Sequence, residues 1–188
     1  MLELVFLVQT LASFILGLFL LRLLFQIQKV DFRNPVAQSV VRLTNPVILP
    51  LRRVLPAIGR IDTASVVALG GVGFAKAAAL LALGGGRYPG LAWLVAHTAV
   101  DLAHLVLTVL IGAVVLFALL SWLADGYNPV ARLVADVAEP LLRPLRNALP
   151  LVQGIDFSPM LAVLVLALLQ RILEYRIAPL LDRLLLNG

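Results

Sequence analysis

The chain consists of long apolar runs separated by short polar segments. Two of these runs contain no charged residue: Leu4 to Leu21 has eighteen residues, and Leu105 to Ala124 has twenty. An α-helix needs about 20 apolar residues to cross the hydrocarbon core of a bilayer, which is roughly 30 Å thick. We therefore predict that each run forms a transmembrane helix.

Two further runs are span candidates that contain or adjoin a charge. The run from Ile61 to Leu83 is interrupted by Lys76. The run that starts at Phe157 has thirteen residues before Gln170 and Arg171, and must continue to about residue 177 to cross the membrane. With these runs included, the pattern predicts an all-α membrane protein with four transmembrane helices.

Two proline-rich strips interrupt the apolar pattern, "NPVILPLRRVLPAIGRID" at residues 45–62 and "EPLLRPLRNALPLVQGID" at residues 139–156. An offset of 94 aligns them, and residues 34–62 share thirteen identities in twenty-nine positions with their counterparts. A repeat at half the chain length indicates a tandem duplication of one unit, helix, strip and helix. We therefore predict two parallel repeats, residues 1–90 and 91–188, rather than the inverted repeats of many transporters.

Composition and charge agree with a membrane class. Apolar residues make up 62% of the 188 residues, charged residues make up 13%, and the mean hydropathy is +1.04. The net charge is +5, but the basic residues border apolar runs, which is typical of membrane anchors and not of a nucleic-acid interface. The absence of cysteine from the sequence excludes disulfides, thiolate zinc sites, iron–sulfur clusters and cysteine nucleophiles.

The basic residues also predict an orientation. Nine lie in the two loops that contain the strips, residues 26–60 and 125–154, and four lie on the opposite side. Because cytoplasmic loops carry an excess of Lys and Arg, we expect both strips in the cytoplasm and both termini outside.

Each strip region is predicted to begin as an amphipathic helix and to end as a bent elbow. Asn34 and Asn128 fit the N-cap position, because each precedes a proline that would occupy the first helical position. The prolines that follow are expected to prevent a long regular helix. They are Pro46, Pro50 and Pro56 in the first copy, and Pro140, Pro144 and Pro150 in the second.

Basic residues next to these prolines are candidate ligands for lipid phosphates or protein partners: Arg52, Arg53, Arg143 and Arg146. They could equally serve only as anchors on the inner side of the membrane. Asp62 and Asp156 open the next span in each copy. Their carboxylates are expected to accept the free N–H groups of the first helical turn, and ion or proton binding is the alternative.

Lys76 and Arg171 lie at corresponding depths of the second and fourth predicted spans. Either they extend to the outer headgroups, or they pair with Glu3 and Asp101 and connect neighbouring helices.

His97 and His104, seven residues apart, share a helical face within a segment, residues 91–124, that is long enough to form one helix of about 50 Å. They could ligate a haem or a metal, or serve as polar packing groups, and we predict no cofactor.

The doubled motif resembles the YggT family of small bacterial inner-membrane proteins, which has chloroplast relatives. The shared core is P-L-R-x-x-L-P at 50–56 and 144–150, followed by I-D at 61–62 and 155–156. One departure is the glycine before the I-D pair, which is Gly59 in the first copy but Gly154, one position later, in the second. The resemblance implies links to osmotic-shock tolerance, to envelope and division functions, and in chloroplasts to cytochrome assembly and nucleoid organisation. It supplies no catalytic residue.

Two hypotheses follow. The first is a non-enzymatic membrane scaffold or assembly factor for envelope homeostasis under osmotic stress. Its expected partners are membrane lipids and other membrane, division or assembly proteins, not nucleic acid, and homo-oligomerisation is left open. The alternative is a small ion or solute transport or channel component, with Lys76, Arg171, Asp62 and Asp156 along its path.

Overall fold

A computed structural model describes residues 2–59, 61–85, 90–123, 128–148 and 156–186. These residues are almost entirely helical, and the described ranges contain no β-strand. The elements are α1 (Leu2–Ile27), α2 (Pro35–Arg52), α3 (Thr63–Leu83), α4 (Leu91–Leu123), α5 (Pro129–Ala148), α6 (Ser158–Ile172), a π-helical segment (Leu173–Ile177) and α7 (Ala178–Leu186). The all-α prediction is confirmed. Pro150, Gly154 and Ile155 of the second strip lie outside the described residues, as do Arg60 and Arg87, two of the basic residues counted for the orientation.

Three helices, α1, α3 and α4, are long and apolar enough to cross a membrane. Within their most apolar windows only 17%, 17% and 6% of the residues are fully buried, so many of their apolar side chains keep exposed surface. Such surfaces are stable against lipid and not against water. Helix α4 has 33 residues and forms the single long helix that the sequence allowed for residues 91–124, as far as the structure describes them; at 1.5 Å per residue it is about 50 Å long.

The fourth predicted span forms a helical segment that is not one regular α-helix. Helix α6 has only 15 residues, fewer than the roughly 20 that a crossing requires. The chain then continues through the π-helical segment, which carries Glu174 and Arg176, into α7. Length and composition therefore support three spans among the described residues.

The expectation that the prolines prevent a long helix is wrong. Helix α2 continues through Pro46 and Pro50, and α5 continues through Pro140 and Pro144. In each helix the two prolines are four residues apart and exposed, so they lie on one outer face. The carbonyl groups that lose their N–H partners there remain accessible to water or headgroups, which reduces the penalty of an internal proline. We call α2 and α5 the elbow helices.

The predicted helix starts are confirmed in both copies. Asn34 Oδ1 accepts a hydrogen bond from the backbone N–H of Val36 at 2.9 Å, and Asn128 Oδ1 accepts one from Val130 at the same distance. Pro35 and Pro129 are the first residues of the elbow helices, where a missing N–H removes no intrahelical bond.

The chain turns sharply between α2 and α3. The backbone groups of Ile58 and Ile61 exchange two hydrogen bonds of 3.1 Å, and Gly59 has a φ of +61°. A side chain would strain this left-handed conformation, which explains why glycine occupies the position. Pro56 lies in this turn and not in the helix. The corresponding turn of the second copy, with Gln153 and Gly154, lies outside the described residues.

Equivalent positions of the two copies form separate apolar clusters. Leu20, Ile48 and Ala68 are buried where α1, α2 and α3 meet. The positions 94 residues later are buried where α4, α5 and α6 meet; they are Val114, Leu142 and Ala162. Each elbow helix therefore covers the same kind of helix pair.

The two elbow helices also contact each other. Val40 of α2 packs in one cluster with Leu133 and Val137 of α5. In addition, Asn34 Nδ2 donates to the backbone carbonyl of Pro129 at 2.6 Å. Both elbow helices therefore lie at the same end of the bundle.

Small residues allow close helix contacts within the chain. Ala64 and Ala68 are buried against α1. A Cβ atom at Gly73 would lie 3.1 Å from Thr98 Cγ2 and 3.4 Å from Leu102 Cδ2, so α3 and α4 approach closely there. At Gly71, two residues earlier on the same helix, a Cβ atom would meet nothing within 4 Å.

We predict that Gly73→Val lowers the free energy of unfolding by about 1–3 kcal/mol, because its methyl groups overpack the contact between α3 and α4. Gly71→Val is the matched control, since it makes the same change in the same helix on an open surface. Thermal unfolding in detergent should show a lower midpoint for Gly73→Val only. Equal midpoints for the two variants would contradict the assigned packing.

Candidate functional site

An ion pair connects the end of the first elbow helix to the start of α3. Arg52, the last residue of α2, donates from Nε to Asp62 Oδ1 at 3.2 Å and from Nη2 to Asp62 Oδ2 at 2.8 Å. Ser65 Oγ donates to the same Oδ2 at 2.7 Å. The Asp62 side chain is fully buried, whereas 42% of the Arg52 side chain is exposed. The buried carboxylate thus has a bidentate cation and a hydroxyl as partners, as a buried charge requires.

The second copy contains the same ion pair. Arg146 Nε donates to Asp156 Oδ2 at 2.6 Å, and Arg146 Nη1 donates to Glu139 Oε2 at 2.8 Å. About a third of each side chain in this triad is exposed. In both copies an arginine near the end of the elbow helix therefore holds the aspartate ten residues later.

The ion pairs determine the protonation of their members. Burial alone would raise the pKa of the Asp62 carboxyl, but the hydrogen bonds from Arg52 and Ser65 outweigh it and lower the pKa below its ordinary value. Burial opposes the charge of Arg146 as well, yet the carboxylates of Asp156 and Glu139 raise the pKa of this guanidinium. Both pairs are ionised at neutral pH.

The predicted capping role holds for only one of the two aspartates. Asp62 occupies the N-cap position of α3, but its side chain accepts no hydrogen bond from the first turn. The expectation is wrong there because Arg52 and Ser65 occupy the carboxylate oxygens. Asp156 Oδ1 does accept the backbone N–H of Ser158, at 2.9 Å.

The four candidate arginines fall into two groups. Arg52 and Arg146 are engaged with carboxylates, whereas Arg53 and Arg143 are exposed on the elbow helices or directly after them. Binding of lipids or partners by these residues stays a prediction. The ion pairs themselves were missed from the sequence, although an arginine and an aspartate ten residues apart in both copies were a signal for them.

Arg22, near the end of α1, is a further residue that the sequence reasoning did not select. It is only 4% exposed. Its Nη1 donates to Thr44 Oγ1 at 2.6 Å, to Asn45 Oδ1 at 2.9 Å and to the Val41 carbonyl at 3.2 Å. Arg22 makes no ion pair with any described residue, because all these acceptors are neutral. A single arginine at the end of a charge-free run was the available signal.

Arg22 borders a cavity of about 470 Å³ beside the first elbow helix. The lining residues come from α1, α2 and the loop between them: Arg22, Gln26, Phe32, Gln38, Val41, Arg42 and Arg52. Three arginines therefore surround one opening.

A second polar site lies farther along the bundle. Lys76 Nζ is 3.9 Å from Asp101 Oδ2, so the structure favours the second of the two alternatives for Lys76, a pair that connects α3 to α4. The pair borders a cavity of about 300 Å³ lined by Gln9, Ser13, Lys76, Leu80, Asp101, His104, Leu105 and Thr108. The predicted pairing of Arg171 with Glu3 is wrong. Arg171 instead contacts Glu174 at 3.8 Å and donates to Tyr175 Oη at 2.9 Å, within its own helical segment.

The two histidines have separate partners. His97 Nε2 lies 2.7 Å from Asp182 Oδ1, and Trp93, which stacks on His97 with a centroid distance of 3.9 Å, donates from Nε1 to the same oxygen. This contact connects α4 to α7. His104 borders the cavity beside Lys76. The part of the chain that the structure describes contains no group of three His, Cys, Asp or Glu side chains suited to a metal ion.

We predict that Asp62→Asn lowers the free energy of unfolding by about 1–3 kcal/mol at neutral pH, because it removes the charged partner of Arg52. Asp156→Asn should have a smaller effect, since Asp156 is partly exposed and Arg146 retains Glu139. Thermal unfolding in detergent would compare the two variants. A larger loss for Asp156→Asn would contradict this ranking.

The same pair predicts a pH dependence. Because the folded-state pKa of Asp62 is lowered, its stabilisation is fully present above the ordinary carboxyl pKa of about 4. It is lost as the pH falls through the lower folded-state pKa. The difference in unfolding midpoint between wild type and Asp62→Asn should therefore shrink as the pH falls below about 4. A constant difference over this range would contradict an ionised pair.

Comparison with known proteins identifies relatives along most of the chain. An uncharacterized protein of Pseudomonas aeruginosa is 37% identical over 178 residues, which cover 93% of this chain and 89% of that protein. The uncharacterized protein YggT of Escherichia coli K12 is 38% identical over 168 residues, covering 87% and 85%. An uncharacterized protein of Haemophilus influenzae is 34% identical over 150 residues, covering 80% of each chain.

No solved structure matches the chain. The sequence model of the CCB3/YggT family matches it in two segments, residues 1–83 and 96–177. These segments include both elbow helices and both Arg–Asp pairs. The chain therefore belongs to the CCB3/YggT family.

Proposed function

We propose that this protein is a non-enzymatic scaffold or assembly factor of the bacterial plasma membrane. The observation that carries the proposal is the pair of elbow helices. They contact each other at one end of the bundle, and an Arg–Asp pair connects each to the helical segment that follows. Such an arrangement holds two amphipathic helices in a fixed relation, which a docking platform requires.

The proposal includes four membrane crossings. Helix α6 packs against α4 as α3 packs against α1, and residues 158–177 form a helical stretch of about 30 Å at 1.5 Å per residue. The two separate matches to the family model also support a duplicated unit. Arg171 and Glu174, both more than half exposed, would then lie near the outer headgroups.

The proposal places the elbow helices on the cytoplasmic side, in agreement with the excess of basic residues in their loops. Arg53 and Arg143 extend from this end without a carboxylate partner among the described residues. They are suited to contact anionic headgroups or acidic segments of other membrane, division or assembly proteins. A role in envelope homeostasis under osmotic stress is proposed from the family resemblance alone.

We predict that single cysteines introduced at positions 53 and 143 both react with a membrane-impermeant maleimide from the cytoplasmic side only. The sequence contains no cysteine, so each label reports one position. Inverted and right-side-out membrane vesicles provide the comparison. Labelling of the two positions from opposite sides would contradict both the duplication and the platform.

Photo-crosslinkers at positions 53 and 143 should capture the same protein partner in cells, whereas crosslinkers at lipid-facing Phe6 and Leu164 should not. Capture of a second copy of the chain would identify the platform as a self-association surface. Failure of both elbow positions to capture any specific protein would contradict the scaffold proposal.

A transport function is the second candidate, and the polar cavity at Lys76 and Asp101 favours it. Gln170 Nε2 donates to Thr108 Oγ1 at 2.7 Å, so polar groups of α6 reach the α4 face that borders this cavity. The path first expected, which also included Arg171, Asp62 and Asp156, is not supported by their contacts. Each of these three is paired locally, away from Lys76.

The two functions predict different results in proteoliposomes. The scaffold function predicts ion fluxes equal to those of protein-free liposomes. Transport through the cavity predicts a flux that Lys76→Ala abolishes and Arg171→Ala retains, because Arg171 lies outside the cavity. Measurement with K⁺- and H⁺-sensitive dyes distinguishes these outcomes, and a Lys76-dependent flux would contradict the scaffold proposal.

A further inference from the structure

The cavity beside the first elbow helix has the chemistry of an anion site. Arg22, Arg42 and Arg52 line it, and the carboxylate of Asp62 is engaged by Arg52. The cavity therefore has an excess of positive charge. The amides of Gln26 and Gln38 add hydrogen-bond donors to the same lining.

Arg22 is held in place and still has donors to offer. All the hydrogen bonds that Arg22 makes to described residues come from Nη1. Its Nε and Nη2 therefore have no partner among the described residues. Arg22 is 4% exposed and lines the cavity. The three neutral acceptors on α2 fix the position of the guanidinium without neutralising it. A guanidinium fixed in this way presents a planar fork that matches a phosphate group.

The second copy shows that the fold does not require this charge. At the positions equivalent to Arg22 and Arg42 it has Leu116 and Asp136. At the position of Asn45 it has Glu139, which pairs with Arg146. The elbow helix covers an equivalent helix pair in both copies, yet among the described residues two arginines without a carboxylate partner, Arg22 and Arg42, line the cavity of the first copy.

The depth of the cavity fits the phosphates of a lipid leaflet. Arg22 directly follows the charge-free run that ends at Leu21, so it lies where the hydrocarbon core would end. Phe32, 44% exposed, contributes an apolar ring to the lining. A volume of about 470 Å³ lies in the range of small-molecule sites and would hold a phosphate with part of the glycerol attached to it.

We propose that this cavity binds the phosphate group of an anion, held between Arg22 and Arg42, and that an anionic phospholipid of the surrounding leaflet is its natural source. The inference rests on the proposed function in one respect, since it places the first elbow helix at headgroup level. It requires no protein partner. Its outcome is therefore independent of the crosslinking experiment.

The test is titration of the full-length protein in a neutral detergent, followed by native mass spectrometry. The probes are phosphatidylglycerol, phosphatidylcholine and inorganic phosphate. We expect one saturable phosphatidylglycerol site, with about tenfold weaker binding in Arg42→Gln because one charge-assisted contact is lost. Arg132→Gln is the matched control, since Arg132 is an exposed arginine on the second elbow helix. It should bind as the wild type does.

The probes separate the two sources of the phosphate group. Preference for phosphatidylglycerol over phosphatidylcholine, with no competition by millimolar inorganic phosphate, would support a lipid site. Competition by inorganic phosphate that Arg42→Gln abolishes would support a site for free phosphate. Equal binding by wild type and Arg42→Gln, or equal weakening by Arg42→Gln and Arg132→Gln, would overturn the proposal. Arg42 is exposed, so its substitution tests the site even if Arg22→Gln does not fold.

Discussion

The rest of the structure depends on how the chain turns from each elbow helix into the helical segment that follows. About ten residues separate the two, and a carboxylate lies at their junction: Asp62, fully buried, in the first copy and Asp156, partly exposed, in the second. An unpaired carboxylate would be costly at the edge of a membrane core, so an arginine from the preceding helix must face it. This requirement limits the distance between the helix ends and thereby holds each elbow helix against the helix pair that it covers. The apolar clusters and the contact between the two elbow helices follow from that placement.

The membrane environment explains where the chain tolerates irregular backbone. The internal prolines of both elbow helices are exposed, at the end of the bundle where freed carbonyl groups can reach water or headgroups. A second irregular stretch among the described residues is the π-helical segment, which follows α6 and carries charged residues. The close contact at Gly73 lies in the bundle interior, where lipid cannot fill gaps and small residues bring helices together.

Local features of this fold could be predicted from the sequence, whereas features that need a tertiary partner could not. The helix starts at Asn34 and Asn128 depend on neighbouring residues alone, and so does the single long helix α4. The Lys76–Asp101 pair could be offered as one of two alternatives, because helical rise and the predicted topology place both charges near the same face. The hydrogen bonds of Arg22 could not be predicted, because its acceptors lie on another helix. The interruption expected at the prolines was wrong because the penalty depends on which helix face is buried.

The amide of Asn34 joins two levels of organisation. Its Oδ1 caps the start of α2 by accepting the N–H of Val36. Its Nδ2 donates to the carbonyl of Pro129, the first residue of α5. An aspartate would begin the helix equally well but has no N–H to give. The oxygen of this side chain therefore stabilises one elbow helix, and its nitrogen connects that helix to the other. Aspartate at position 34 would therefore keep the start of α2 and remove the polar bond between the two elbow helices.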